Sequence, residues 1–160
     1  MCSSDLSAER WLLDDVLAWC DTRWQLPPKA VALAGVGMGG QGALRLAFKN
    51  PERFPVVAAL DAALDHHELY GTGTPLDAMY ASREQCRQDT AILHVHPVRQ
   101  PAFIAFAADP ASRWFRGNDR LHEKLEALGV PHAFEPHGGN LLELLETILA
   151  ALREQERRLL

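Results

Sequence analysis

No apolar run in this sequence approaches the roughly 20 residues that a helix needs to cross a bilayer. The amino terminus, Met1-Cys2-Ser3-Ser4-Asp5, shows no basic segment leading into an apolar one, so neither a membrane partner nor secretion is expected. A soluble, cytoplasmic protein is the expectation. Cysteine is scarce: Cys2, Cys20 and Cys86 are odd in number and lack metal-ligand spacing, which predicts reduced thiols rather than a disulfide framework or zinc module. Basic excess is missing too. With 21 acidic and 16 basic residues the net charge is -5, which argues against a broad nucleic-acid footprint. No internal repeat or composition shift divides the 160 residues, and that length suits one domain. What the chain does have is apolar surface: 48% of residues are hydrophobic, with four tryptophans and six phenylalanines. That is enough for a packed core.

Short apolar runs alternate with helical patterns. Residues 7–22 read as an amphipathic helix, with Leu12, Val16 and Trp19 on one face and Leu13, Leu17 and Cys20 widening it. Val31 to Ala34 reads as a short buried strand of a parallel sheet. A helix from about Gly40 to Lys49 buries Leu44, Ala47 and Phe48, and Asn50-Pro51 ends it. Pro55 to Leu60 and Ala102 to Ala107 are further strands, with weak helical turns near 75–81 and 83–89 between them. Asn118 to Leu128 is a helix closed by Gly129, and His132 to Glu135 a short fourth strand. Leu141, Leu142, Leu145, Ile148, Leu149 and Leu152 mark a final helix whose tail, from Arg153, is charged. The alternation predicts an α/β layered fold, with the polar stretch 61–101 as an excursion beside the sheet.

The most informative segment is Gly35-Val36-Gly37-Met38-Gly39-Gly40, a glycine turn between a strand and a helix. It admits two readings. Gly35, Gly37 and Gly40 satisfy G-x-G-x-x-G, and Asp61 ends the next strand, as in a dinucleotide fold. That would make Gly35 to Gly40 a nucleotide- or anion-binding turn. The other reading is a nucleophile elbow without its nucleophile.

The wording of residues 35–54 supports the second. It resembles the esterase D-like branch of the α/β-hydrolases, in which a Gly-x-Ser-Met-Gly-Gly elbow opens a helix rich in alanine and leucine. Asp109-Pro110 followed by Gly117-Asn118-Asp119, and Gly129-Val130-Pro131-His132 followed by Gly138-Gly139, extend the likeness over roughly residues 10–155. The resemblance implies a partial α/β-hydrolase-like fold, a mostly parallel sheet of about four strands flanked by helices, in a single truncated domain spanning residues 1–160. It implies no cofactor.

The resemblance also assigns positions. Family members use serine, acid and histidine for acyl transfer. The matching positions here are Gly37, Ser112 and Asn140, and none carries the group required. Asp109 lies three residues before Ser112, but the spacing to Gly117-Asn118 favours Ser112. Asn140 with Glu143 reads equally as an N-cap and capping box of the last helix. His137 is a displaced base at most. Three vacancies imply a noncatalytic or degenerate relative of carboxylic-ester hydrolases. The alternatives are a serine-type hydrolase of small esters, or an anion-binding module using Gly35, Met38, Gly39 and Gly40 at the helix start.

Two further expectations follow. His94 and His96 share one face if their segment is extended, and Asp61, Asp65, His66 and His67 are near in sequence, but no spacing here demands a metal. His122 is expected to be exposed beside Asp119. Family members carry strands before the elbow, and only about thirty residues precede Val31. The elbow strand should therefore have an open edge, covered by a homo-oligomer or partner chain, or left bare in a truncated relic.

Overall fold

The structure is a computed structural model that describes residues 9–26 and 30–159. Cys2 and the first two residues of the predicted amino-terminal helix lie outside them. Contacts divide the chain into two compact units: one comprises Met1–Pro28 with His66–Gln88, the other Lys29–Asp65 with Asp89–Leu160.

The second unit holds the sheet. β1 (Ala32–Val36), β2 (Val56–Leu60), β3 (Phe103–Ala107) and β4 (Ala133–Glu135) pair in parallel and in sequence order. β2 and β3 are the interior strands, and Val56, Val57, Ala58 and Ala59 are all fully buried. Burial on both sides requires helices on both faces, because alternate residues of a strand point oppositely. Leu144 and Ile148 of the last helix (Leu141–Leu159) pack against Val56, Ala58 and Ala105. The helix after the glycine turn (Met38–Lys49) contacts β1 and β2 and buries Leu44, Ala47 and Phe48, as the pattern predicts. A third helix (Phe115–Ala127) joins β3 to β4 and buries Leu121 and Leu125.

In chain order the helices are α1 (Leu17–Trp24), α2 (Met38–Lys49), α3 (Leu76–Met79), α4 (Arg83–Gln88), α5 (Phe115–Ala127) and α6 (Leu141–Leu159). The fold is therefore a four-stranded parallel α/β sheet flanked by helices.

β1 differs from expectation. It has no fully buried residue, and Val36 is 50% exposed. The cause is its place at the sheet edge: among the described residues no strand lies beyond it. The leucine pattern of α6 is likewise only partly a core pattern. Leu144 and Ile148 are buried, whereas Leu141, Leu142, Leu145 and Leu149 are 41–66% exposed.

In the first unit, Trp11–Val16 is a π-helical stretch that runs into α1. The Leu17 amide bonds to the Leu12 carbonyl, five residues back. The extra residue in that turn rotates everything after it, so Trp19 leaves the predicted stripe. It is exposed with Trp11 and Trp24, and its ring meets Trp24 edge-on at 5.2 Å. A 3-10 turn (His66–Leu69) precedes α3 and α4. Leu76, Tyr80 and Cys86 form a small core there. The Asp77 carboxylate ties the preceding loop by accepting the Gly71 and Gly73 amides at 2.6 and 2.8 Å.

Candidate active site

The glycine turn stands at the carboxyl end of β1, where its backbone changes from strand to helix within one residue. Gly37 has φ 56 and ψ -120, in the left-handed half of the map that glycine tolerates. Three bonds hold it there: its amide donates to the Leu60 carbonyl at 3.0 Å, and its carbonyl accepts the Gln41 and Ala63 amides at 3.1 and 2.9 Å. Gly35 and Gly40 serve close packing. A Cβ at Gly35 would lie 2.2 Å from the carbonyl of Gly39, and one at Gly40 would lie 3.1 Å from the Gly35 oxygen and 3.2 Å from Ala62. At Gly37 the situation is opposite. A Cβ there would meet nothing within 4 Å, so the backbone presents this position outward with no side chain on it. Met38, beside it, is 48% exposed. The first amides of α2, from Met38 to Gly40, have no acceptor inside their own helix.

The neighbouring strand ends meet the turn in order. Asp61, with φ 45, donates its amide to the Ala107 carbonyl at 2.8 Å and accepts the Asp109 amide on Oδ1 at 3.1 Å. The carboxylate that the dinucleotide reading assigns to a ribose is thus engaged in joining β2 to β3. Asp109 uses its own Oδ1 on the Ala111 amide at 2.7 Å. Gly138 packs against Asp109, with a virtual Cβ at 3.5 Å, and donates to the Ala108 carbonyl at 2.9 Å.

Ser112 and Asn140 both have local work. The Ser112 hydroxyl accepts the Trp114 amide at 3.2 Å, in the turn that starts α5. Asn140 caps α6: its Oδ1 accepts the Glu143 amide at 2.9 Å and its carbonyl accepts the Leu144 amide at 3.1 Å. The return bond that would complete a capping box is absent. His137 is exposed, and its amide donates to the Glu135 carboxylate at 3.1 Å. A cavity of about 250 Å³ opens beside Asn140, between the ends of β3 and β4 and the first turns of α6, with Phe134, Glu143 and Thr147 in its wall.

A strand, a tight glycine turn at positive φ, and a helix make the element on which ester hydrolases mount their nucleophile. The family model described as "Putative esterase" matches residues 5–131. The chain belongs to this esterase family. Solved structures with the same fold include a ferulic acid esterase (18% identity, TM-score 0.62, covering 89% of this chain and 58% of that one). An S-formylglutathione hydrolase from Staphylococcus aureus aligns at 18% identity and TM-score 0.62, covering 92% and 61% of the two chains. A fluorophosphonate-binding serine hydrolase from the same organism aligns at 17% identity and TM-score 0.64, covering 89% and 60%. This esterase-family chain therefore spans about three-fifths of the length of these solved relatives. No curated protein sequence matches it.

Several side chains behave otherwise than the sequence suggests. His94 closes a 3-10 turn (Ala91–His94), and His96 forms an isolated bridge with Arg99, so the segment is not extended through both imidazoles. His122 is half-buried and sits on His132, with Nδ1 2.8 Å from the His132 Nε2. The His132 Nδ1 lies 2.8 Å from the Val130 carbonyl, which can only accept, so that nitrogen carries the proton. Helical spacing placed His122 beside Asp119 and gave no sign of a partner ten residues on.

Two buried amides were also missed. Gln41, in the esterase-family helix α2, donates to the Asp89 carbonyl at 2.9 Å and accepts the Ala91 amide at 3.0 Å, pinning the segment before β3. Asn118 is fully buried and donates from Nδ2 to the Ala62 and Trp114 carbonyls at 2.9 and 2.8 Å. Gly117 lets α5 approach Leu64 and Asp65, where a Cβ would lie at 3.0 Å. The Gly117-Asn118 pair is therefore the seam that seats α5 against residues 62–65, the segment that follows β2. A buried glutamine next to a glycine in an otherwise apolar helix face was the available signal.

Proposed function

We propose that this chain is a noncatalytic member of the esterase family, one that keeps the elbow backbone and lacks the groups that perform hydrolysis. The observation that carries the reading is Gly37: the outward-facing position of the turn bears no side-chain atom. Acyl transfer through a covalent intermediate needs an attacking oxygen or sulfur there. Asn140, at the position matched to the family histidine, has an amide without useful basicity near neutral pH and uses its oxygen as a helix cap. Ser112, at the position matched to the acid, is uncharged and cannot steady an imidazolium.

The experiment is direct. The purified chain is mixed with p-nitrophenyl acetate and, separately, with a fluorophosphonate probe, alongside an active serine hydrolase. No burst of nitrophenol and no labelled residue are expected. Stoichiometric labelling of any hydroxyl beside residues 35–40 would overturn the reading and favour the alternative, a serine-type hydrolase of small esters. A second reading, anion binding by the amides of Met38, Gly39 and Gly40, draws support from the open space around Gly37 and Gly39. Saturable binding of inorganic phosphate, lost in Gly39→Pro, would support it.

A further inference from the structure

We infer that the His122–His132 contact is an acid-sensitive clasp between α5 and β4, which accepts one proton while closed and opens to take a second. The inference starts from where the hydrogens lie. The Val130 carbonyl fixes the His132 hydrogen on Nδ1, so the Nε2 of that ring carries only a lone pair. The His122 Nδ1, 2.8 Å from it, must therefore be the donor. In the neutral pair a proton can add without disturbing the contact at one nitrogen, the His122 Nε2, which lies 3.7 Å from the Glu126 carboxylate.

The first proton meets no obstacle. On the His122 Nε2 it faces Glu126, and the cationic ring then donates more strongly to His132 across the existing contact. The second has only the His132 Nε2 left. There it would set N–H against N–H at 2.8 Å and place two imidazolium rings with centroids 5.1 Å apart, beside the apolar rings of Phe106 and Phe134. Nothing nearby offsets that repulsion. Among the described residues Glu126 is the carboxylate within ion-pair distance of either imidazole. On α5, Asp119 and Glu123 make no ion pair with His122, and the Lys124 ammonium is turned to the Ile92 carbonyl at 2.6 Å. β3 presents Phe106 and β4 presents Phe134, while Glu135 alternates to the other face.

What the clasp holds is slight. β4 is three residues long and pairs with β3 alone. Its other anchors are Phe134, stacked on Phe106 at 4.9 Å, and the Glu135 carbonyl, which accepts the Ala108 amide at 3.0 Å. Loss of the imidazole contact therefore releases residues 130–135 and leaves β1 to β3 in place. The open form binds two protons and the closed form one, so falling pH favours opening. Free histidines titrate near 6.5, and below that a one-proton difference shifts the equilibrium by up to about tenfold per pH unit.

Nuclear magnetic resonance on the full chain tests this. At about pH 8, long-range nitrogen–proton spectra should place both imidazole hydrogens on Nδ1. From about pH 7 to 5, the amides that join β3 and β4 should exchange faster by up to about tenfold per pH unit after correction for intrinsic exchange, while those between β1 and β2 keep their protection. His132→Gln keeps an acceptor for His122 and cannot take the second proton, so it should abolish the acceleration. His122→Asn should do the same. Glu126→Gln should leave it in place, because the conflict belongs to the second proton. A contact that serves packing alone would instead lose β4 protection equally at every pH in both histidine variants. That result, acceleration that persists in His132→Gln, or its loss in Glu126→Gln would overturn the proposal. So would two imidazolium rings with β4 still protected, or a hydrogen on the His132 Nε2 at about pH 8.

Discussion

A methyl group on Gly35 would sit 2.2 Å from the carbonyl carbon and oxygen of Gly39. The strand and the helix on either side of the turn are therefore in backbone contact, and no rotamer can relieve an added side chain. Gly35→Ala is expected to cost about 3 kcal/mol or more, read as a lower urea midpoint. Gly42, in the same helix, has nothing within 4 Å of a virtual Cβ. Gly42→Ala should raise stability by about 0.5–1 kcal/mol through helix propensity. Equal effects at the two positions would refute this account of the turn.

Gly37→Ser separates space from conformation. The hydroxymethyl group has room, but a non-glycine residue at φ 56 costs about 1–2 kcal/mol. The variant should fold, lose that much stability, and remain without ester turnover because Asn140 supplies no base. Full activity from this single change would show that the missing serine was the sole defect.

Asn140→Ala removes the α6 cap and should cost about 1 kcal/mol, while Asn140→Asp and Asn140→Ser should stay close to the parent. Thermal melts are sufficient. Asn140→His would be expected to behave like the alanine variant, since imidazole is a poorer cap.

Asn118→Ala leaves the Ala62 and Trp114 carbonyls without this donor in a fully buried site, and should cost about 1–3 kcal/mol. Asn118→Asp should cost more, because an ionised carboxylate would face two carbonyl oxygens. An aspartate variant as stable as the parent at pH 8 would contradict the donor assignment.

Acid should destabilise the first unit in two stages. Burial holds His67 below its usual 6.5, and Arg87 and Gln88 hold the exposed Glu84 carboxyl at about 2 through hydrogen bonds. Both groups have folded values below their unfolded ones, so the unfolded chain takes up more protons as the pH falls, and stability declines. The His67 contribution starts to fall near pH 6.5. The Glu84 contribution fades from about 4.5 toward 2 and is small at an exposed site. His67→Gln should flatten the melting temperature between pH 7 and 5, whereas Glu84→Gln should alter only the more acid limb.

The elements and the glycine turn were largely readable because they rest on local pattern. Apolar runs at 56–60 and 103–107 allow little but interior strands, and Asn140 with Glu143 advertises a helix start. What escaped depends on contacts distant in sequence or on one inserted residue. The π turn at Trp11–Val16 leaves no compositional mark, yet it rotates Trp19 out of its predicted stripe. α5 begins at Phe115 rather than Asn118 because the Ser112 turn starts the helix early. His122 and His132 meet only because β4 returns beside α5, and no spacing rule contains that return. The exposed leucines of α6 carry the same periodicity as buried ones, so periodicity alone could not sort them.

Every strand in the sheet lies beside the one made just before it. A ribosome could therefore lay down this structure in order, each new segment zipping onto a finished neighbour. The bonds that fix residue 37 are complete once residue 63 has emerged, long before positions 112 and 140 exist. The three bonds that hold residue 37 do not involve positions 112 and 140, so a substitution at either of those positions need not alter the shape of the turn.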